Sequence, residues 1–107
     1  MTTAKFLFSD DVIVSFELSG HSDAGEEGTD IVCSAISSAV YMAANTITEI
    51  LKLNPETVVR DGYLKVQMNI EDARKSKVIT DGLYLHLSEL QNQYPNNLKL
   101  ERGVFDA

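Results

Sequence analysis

The sequence predicts an α+β fold, an antiparallel or mixed sheet of about five strands in the order ββαββαβ, with two helices packed on one face. Three observations predict it. Val12, Val14, Phe16 and Leu18 alternate with Ile13, Ser15 and Glu17, and Leu64, Val66, Met68 and Ile70 repeat the pattern. That is the period of strands with one buried face. Val32, Ile36, Ala39, Val40, Ala43, Ile47, Ile50 and Leu51 instead recur at helical steps, as do Ile79, Leu83, Leu87, Leu90 and Tyr94. Short turn signals punctuate these runs.

The elements follow in order. A short apolar strand, Lys5 to Ser9, meets Asp10-Asp11 and turns back into "VIVSFELSG", which makes an antiparallel hairpin. The first helix starts where Asp30 (or Thr29) can accept a hydrogen bond from a free backbone N–H as its cap. Asn54-Pro55 stops it, because proline has no N–H to continue the ladder and restricts the residue before it. "ETVVR" then leads through Asp61-Gly62, a dipeptide that predicts a type I′ turn, into "YLKVQMNI". The charged run "EDARKSK" reads as a solvated connection. The second helix ends at Pro95-Asn96-Asn97, and "LKLE" forms a short final strand.

Composition limits the function classes. At 107 residues the chain is one domain that can bury a core unaided, and 44% hydrophobic with 23% charged residues excludes disorder. Nine basic against 16 acidic residues give a net charge of −7. Neutralising phosphates requires the opposite sign, so direct nucleic-acid binding is not expected, whereas a basic protein partner suits this field. A single cysteine cannot form an internal disulfide. No apolar run approaches the roughly 20 residues that span a bilayer, and "MTTAKFLFSDD" is not a signal peptide. The expected location is cytoplasmic, with no membrane partner.

The stretch with chemistry is "GHSDAGEEGTDIVCSAISSAV", Gly20 to Val40. A free cysteine is commonly a small apolar core residue. With Asp30 as cap, however, Cys33 falls in the first helical turn, where unpaired N–H groups and the helix dipole favour an anion. Such a place lowers a thiol's pKa and offers donors for an oxyanion. His21 opens the loop that returns to this helix, and an imidazole in reach of the sulfur could move its proton. Gly20, Gly25 and Gly28 allow the intervening loop to act as a lid, and Asp23, Glu26 and Glu27 could attract a basic segment. One cysteine and two distant histidines, His21 and His86, make no zinc spacing, and no cofactor motif is present. His86 lies near the apolar stripe of the second helix and reads as a packing residue. Besides a thiol peptidase, the chain could be a non-catalytic binding module or a redox-sensing thiol protein.

"SGH", an eight-residue Gly/acid segment and "DIVCSAISS" at a helix start together resemble the ribosomal-processing cysteine protease (Prp) family, with its G-H…G-x-D-I-V-C-[AS]-A-[VI]-S signature. "FELSGH", "DGYLKV" and the late "L…YP" extend the likeness over nearly the whole chain. The resemblance implies a bacterial cytoplasmic homodimer that clips a short N-terminal extension from a large-subunit ribosomal protein. It implies Cys33 as nucleophile, His21 as general acid/base, and a flexible loop between them. Asp30 matches the acidic position before "IVC" and takes a supporting role as cap or loop anchor. Gly20, Ser22, Asp23, Gly25, Glu26, Glu27 and Gly28 form the loop expected to meet substrate. Ser34 stands where alanine is common in the family, a small change that leaves the dyad in place.

Overall fold

The computed structural model describes residues 1–20 and 29–105, with Thr29 and Asp30 described by their backbone alone. Strand β1 (Thr2–Ser9) turns into β2 (Val12–Ser19), and helix α1 (Thr29–Asn45) continues through a wider π-type turn at Thr46–Ile50. Strands β3 (Glu56–Arg60) and β4 (Tyr63–Gln67) form a second hairpin. Helices α2 (Ile70–Lys75) and α3 (Lys77–Gln93) follow, and β5 (Leu98–Val104) closes the chain. The five strands form one mixed sheet in the order β3-β4-β2-β1-β5, so the expected α+β architecture is present.

Alternation decides which side of each strand meets the helices. Ala4, Phe6, Phe16, Leu64 and Val66 turn one way and are buried with Ile36, Val40 and Ile47 of the first helical segment and with Leu83 and Leu87 of α3. Tyr84 fixes α3 over this face, its ring edge-on to Phe6 and Phe8 at 5.0 and 5.7 Å. The opposite face carries a row of alternating charge across four strands, Glu101, Lys5, Glu17 and Lys65, each paired in register with the next. Opposite charges across neighbouring strands favour this register over a one-residue slip, which would send the whole apolar set to solvent.

Several details depart from the sequence expectation. Both terminal strands are longer than their apolar runs, because β1 pairs with β5 in parallel from Thr2↔Leu98 to Phe8↔Val104. The run "EDARKSK" is mostly helix rather than connection: the Asn69 side chain accepts the Asp72 N–H at 2.8 Å, with acids in the first turn and bases in the last. Ile70 consequently heads α2 instead of extending β4. At Asp61-Gly62 only Gly62 has a positive φ, 70°, so that turn is not type I′. The left-handed pair is Asp10-Asp11, with φ of 50° and 66°, and aspartate tolerates this conformation better than most residues. Lys52, with φ 58°, ends the helical segment before Asn54-Pro55 is reached, which leaves Ile50 exposed instead of in the core.

One helical stretch, Ile31–Ile50, is 20 residues long and apolar enough to cross a membrane by length and composition, contrary to the expectation that no run approaches that size. Its Val32, Ile36, Val40, Ala43 and Ile47 side chains are nevertheless buried in the domain core. A core helix under a sheet needs the same apolar composition as a spanning one.

Candidate active site

Cys33 is oriented by its helical neighbours. Val32 and Ile36 are buried, at 5% and 0% exposure, and fix the rotation of α1 against the sheet. The next row round the helix, Cys33, Ser37 and Tyr41, then faces a pocket of about 250 Å³. The Cys33 thiol, which is in no disulfide, is half-buried. Helix α1 is described from Thr29, so Asp30 is already helical and not the cap expected there, and Cys33 is the fifth residue of the described span. A helical side chain leans toward the N-terminus, which carries the Cys33 sulfur back toward the start of the helix.

Three elements wall the pocket opposite α1. Thr2 of β1 places its hydroxyl 3.6 Å from Cys33 Sγ. Gly20, at the end of β2, donates its N–H to the Gly62 carbonyl at 3.1 Å and has φ of 105°. A Cβ at Gly20 would collide with the Met1 carbonyl oxygen, so only glycine fits this approach. The β3–β4 turn contributes Arg60, Asp61 and Tyr63.

The turn wall is tied to the sheet. Tyr63 donates its phenol proton to Glu17 Oε2 at 2.6 Å, and the Arg60 guanidinium lies 4.5 Å over the Tyr63 ring. The bond to Glu17 raises the Tyr63 pKa above its ordinary value of 10.0, with desolvation and the Glu17 charge adding to it and Arg60 opposing. A phenolate can no longer donate and would face a carboxylate. The proton is held more tightly in the folded state, so this contribution is fully present below the unfolded pKa and is lost as pH rises through the folded one. In a ¹³C-tyrosine NMR titration, Tyr63 should titrate above the ordinary tyrosine range, and Glu17→Ala should return it toward that range. An unchanged Tyr63 curve in Glu17→Ala would refute the coupling.

The structure brings Cys33 together with Gly20. The remaining sequence-derived positions, His21, Ser22, Asp23, Gly25, Glu26, Glu27 and Gly28, lie outside the described residues, as does the expected loop lid. His86 is exposed at a groove lined by Ala35, Ser38, Met42 and Ile79, and is not the packing residue that its place on the helix suggested. Among the described residues, no group of three or more His, Cys, Asp or Glu could hold a metal ion. Sequence reasoning missed Thr2, Tyr41 and the Arg60–Tyr63 wall. Only the Asp61-Gly62 turn had a local signature, and nothing in it said what the turn would face.

The sole thiol of this α+β domain lines a walled pocket, where a sulfur nucleophile could meet a ligand. The family described as cysteine protease Prp matches residues 1–99, and the chain belongs to that family of cysteine proteases. The ribosomal processing cysteine protease Prp of Bacillus subtilis is 25% identical over 98 residues, covering 86% of this chain and 88% of the relative. A solved Staphylococcus aureus Prp in complex with a substrate peptide has a TM-score of 0.84 at 22% identity, over 95% of this chain and 99% of that one. A second, in complex with a covalently linked product peptide, has a TM-score of 0.83 at 23% identity, over 95% and 99%. A Streptococcus mutans protein has a TM-score of 0.82 at 23% identity, over 98% of this chain and 96% of its own.

Proposed function

We propose that the chain removes a short N-terminal extension from a large-subunit ribosomal protein, with Cys33 as nucleophile and His21 as general acid/base. The observation behind this reading is the half-buried Cys33 thiol in a pocket whose rim residue, Gly20, immediately precedes His21. Cys33 thiolate attacks the scissile carbonyl carbon, and the first-turn N–H groups of α1 stabilise the oxyanion. The C–N bond breaks, His21 gives its proton to the leaving amine, and a thioester to Cys33 remains. His21 then takes a proton from water, and the resulting hydroxide releases the acid product and the thiolate.

The likeness to the ribosomal processing protease of Bacillus subtilis supports a ribosomal-protein substrate, and the covalently linked product in the Staphylococcus aureus protein supports an acyl-enzyme course. The net charge of −7 suits a basic protein substrate. Gly20, Ser22, Asp23, Gly25, Glu26, Glu27 and Gly28 are assigned to substrate binding in this reading, and Asp30 to a supporting role. The test is intact-mass spectrometry of an extended ribosomal protein after incubation with wild type, Cys33→Ala and His21→Ala. Wild type should shorten it at one position and neither variant should; cleavage by Cys33→Ala would refute the mechanism.

The same reading makes the protein a homodimer of the bacterial cytoplasm. Exposed Ile31, Met42, Val78 and Leu85 on α1 and α3 supply apolar surface for a second copy. Sedimentation equilibrium should give twice the 11.8 kDa chain mass, and a monomer at tens of micromolar would contradict it.

A further inference from the structure

Thr2 is 4% exposed, and its hydroxyl sits 3.6 Å from Cys33 Sγ across 31 residues of sequence. Its backbone is held on two sides. The Thr2 N–H donates to the Asn97 carbonyl at 2.9 Å, in register with the fully buried Leu98 of β5. On the other side the Met1 carbonyl that precedes it is packed against Gly20. A side chain mounted on so constrained a backbone can hold its hydroxyl in one place. A free serine or threonine at the surface could not.

The direction of this contact depends on the state of the sulfur. With a neutral thiol either group can donate. A thiolate has no proton, so the hydroxyl must donate and the sulfur accept. A hydrogen bond made to the charged form favours that form. A donor from outside the helix acts on the sulfur from the side of β1, in addition to whatever the start of α1 supplies.

We propose that Thr2 is the positioning residue of the nucleophile: its hydroxyl fixes the Cys33 sulfur in the pocket and stabilises the thiolate. This rests on Cys33 being the nucleophile. Among the described residues, the other ionisable groups around the pocket are Tyr41 on α1 and Arg60, Asp61 and Tyr63 on the β3–β4 turn; β1 and β2 contribute Thr2, Leu18 and Gly20, none of which ionises. His21 follows Gly20 outside the described residues. Removing the Thr2 hydroxyl leaves the charge of the pocket unchanged.

The experiment measures iodoacetamide alkylation against pH, which reports a single site because the chain has one cysteine. Thr2→Val keeps the branched shape and removes the hydroxyl, Thr2→Ser keeps the hydroxyl, and Thr2→Ala serves should the valine variant fail to fold. Thr2→Val should move the midpoint of the rate–pH curve up by about one unit, the size expected for a hydrogen bond to a charged group. Below that midpoint the thiolate population falls about tenfold. Thr2→Ser should restore the wild-type curve. For peptide cleavage, kcat should fall in the valine variant while KM stays within about twofold. Superimposable alkylation curves for wild type and Thr2→Val would overturn the proposal, as would a serine variant that behaves like valine. A shifted alkylation curve with no peptide cleaved by wild type would leave the role of Thr2 standing and count instead against Cys33 as the nucleophile of a protease.

Discussion

Cys33→Ala should reduce cleavage of the extended ribosomal protein by about 10⁴-fold or more, with the fold intact. A nucleophile that forms the acyl intermediate acts as a unit with its base, so its loss removes the covalent route entirely. The structural cost should be small. The thiol is half-buried at the pocket rim, outside the tightly packed group around Ile36 and Phe6. Removing one sulfur atom there should change the unfolding free energy by about 1 kcal/mol at most. Affinity for the substrate peptide should stay within severalfold, because the walls at Tyr41, Arg60 and Tyr63 are untouched. Residual cleavage within tenfold of wild type would exclude Cys33 as nucleophile. Cys33→Ser separates nucleophilicity from shape: the hydroxyl fits the same space but is far less ionised near neutral pH.

Gly20→Ala should lower the stability of the whole domain by roughly 2–4 kcal/mol, or about 10–20 °C in Tm. Two penalties combine. A φ of 105° is a conformation that side-chain-bearing L-residues rarely adopt, and the added Cβ would drive into the Met1 carbonyl oxygen. Relief would require β1 and β2 to separate, or the Gly20 N–H to leave the Gly62 carbonyl at the pocket wall. Either movement displaces the residue that leads into His21, so activity should fall further than the fraction unfolded explains. Thermal unfolding by circular dichroism decides it: a loss of less than about 3 °C would show that the chain absorbs the methyl without strain.

What the sequence revealed, and where it failed, follows the range of the interactions. The period of two in "VIVSFELS" and of 3.6 through α1 and α3 is local, so those elements and the buried set Phe16, Ile36, Val40, Leu83 and Leu87 were legible. Helix α2 was hidden because its capping Asn69 stands beside a charge run that looks solvated. The glycine of Asp61-Gly62 predicts a type I′ turn there, while two aspartates adopt that conformation at positions 10 and 11. The lengths of β1 and β5 come from their pairing with each other, which no window of neighbouring residues contains. For the same reason Cys33 could be picked out by its motif, but Thr2, which touches it, could not.

The parallel pairing of β1 with β5 has a consequence for the protein's birth. Strand β1 lies between β2 and β5, so one of its two flanks stays open until residues near the end of the chain are available. Chains emerge from the ribosome in order, and contacts between distant segments form late. Thr2 therefore waits for Leu98 before its backbone is locked, and the thiol's neighbour is set only once β5 has docked. A nascent copy still lacking that strand would carry Cys33 on a formed helix without the settled Thr2 hydroxyl beside it.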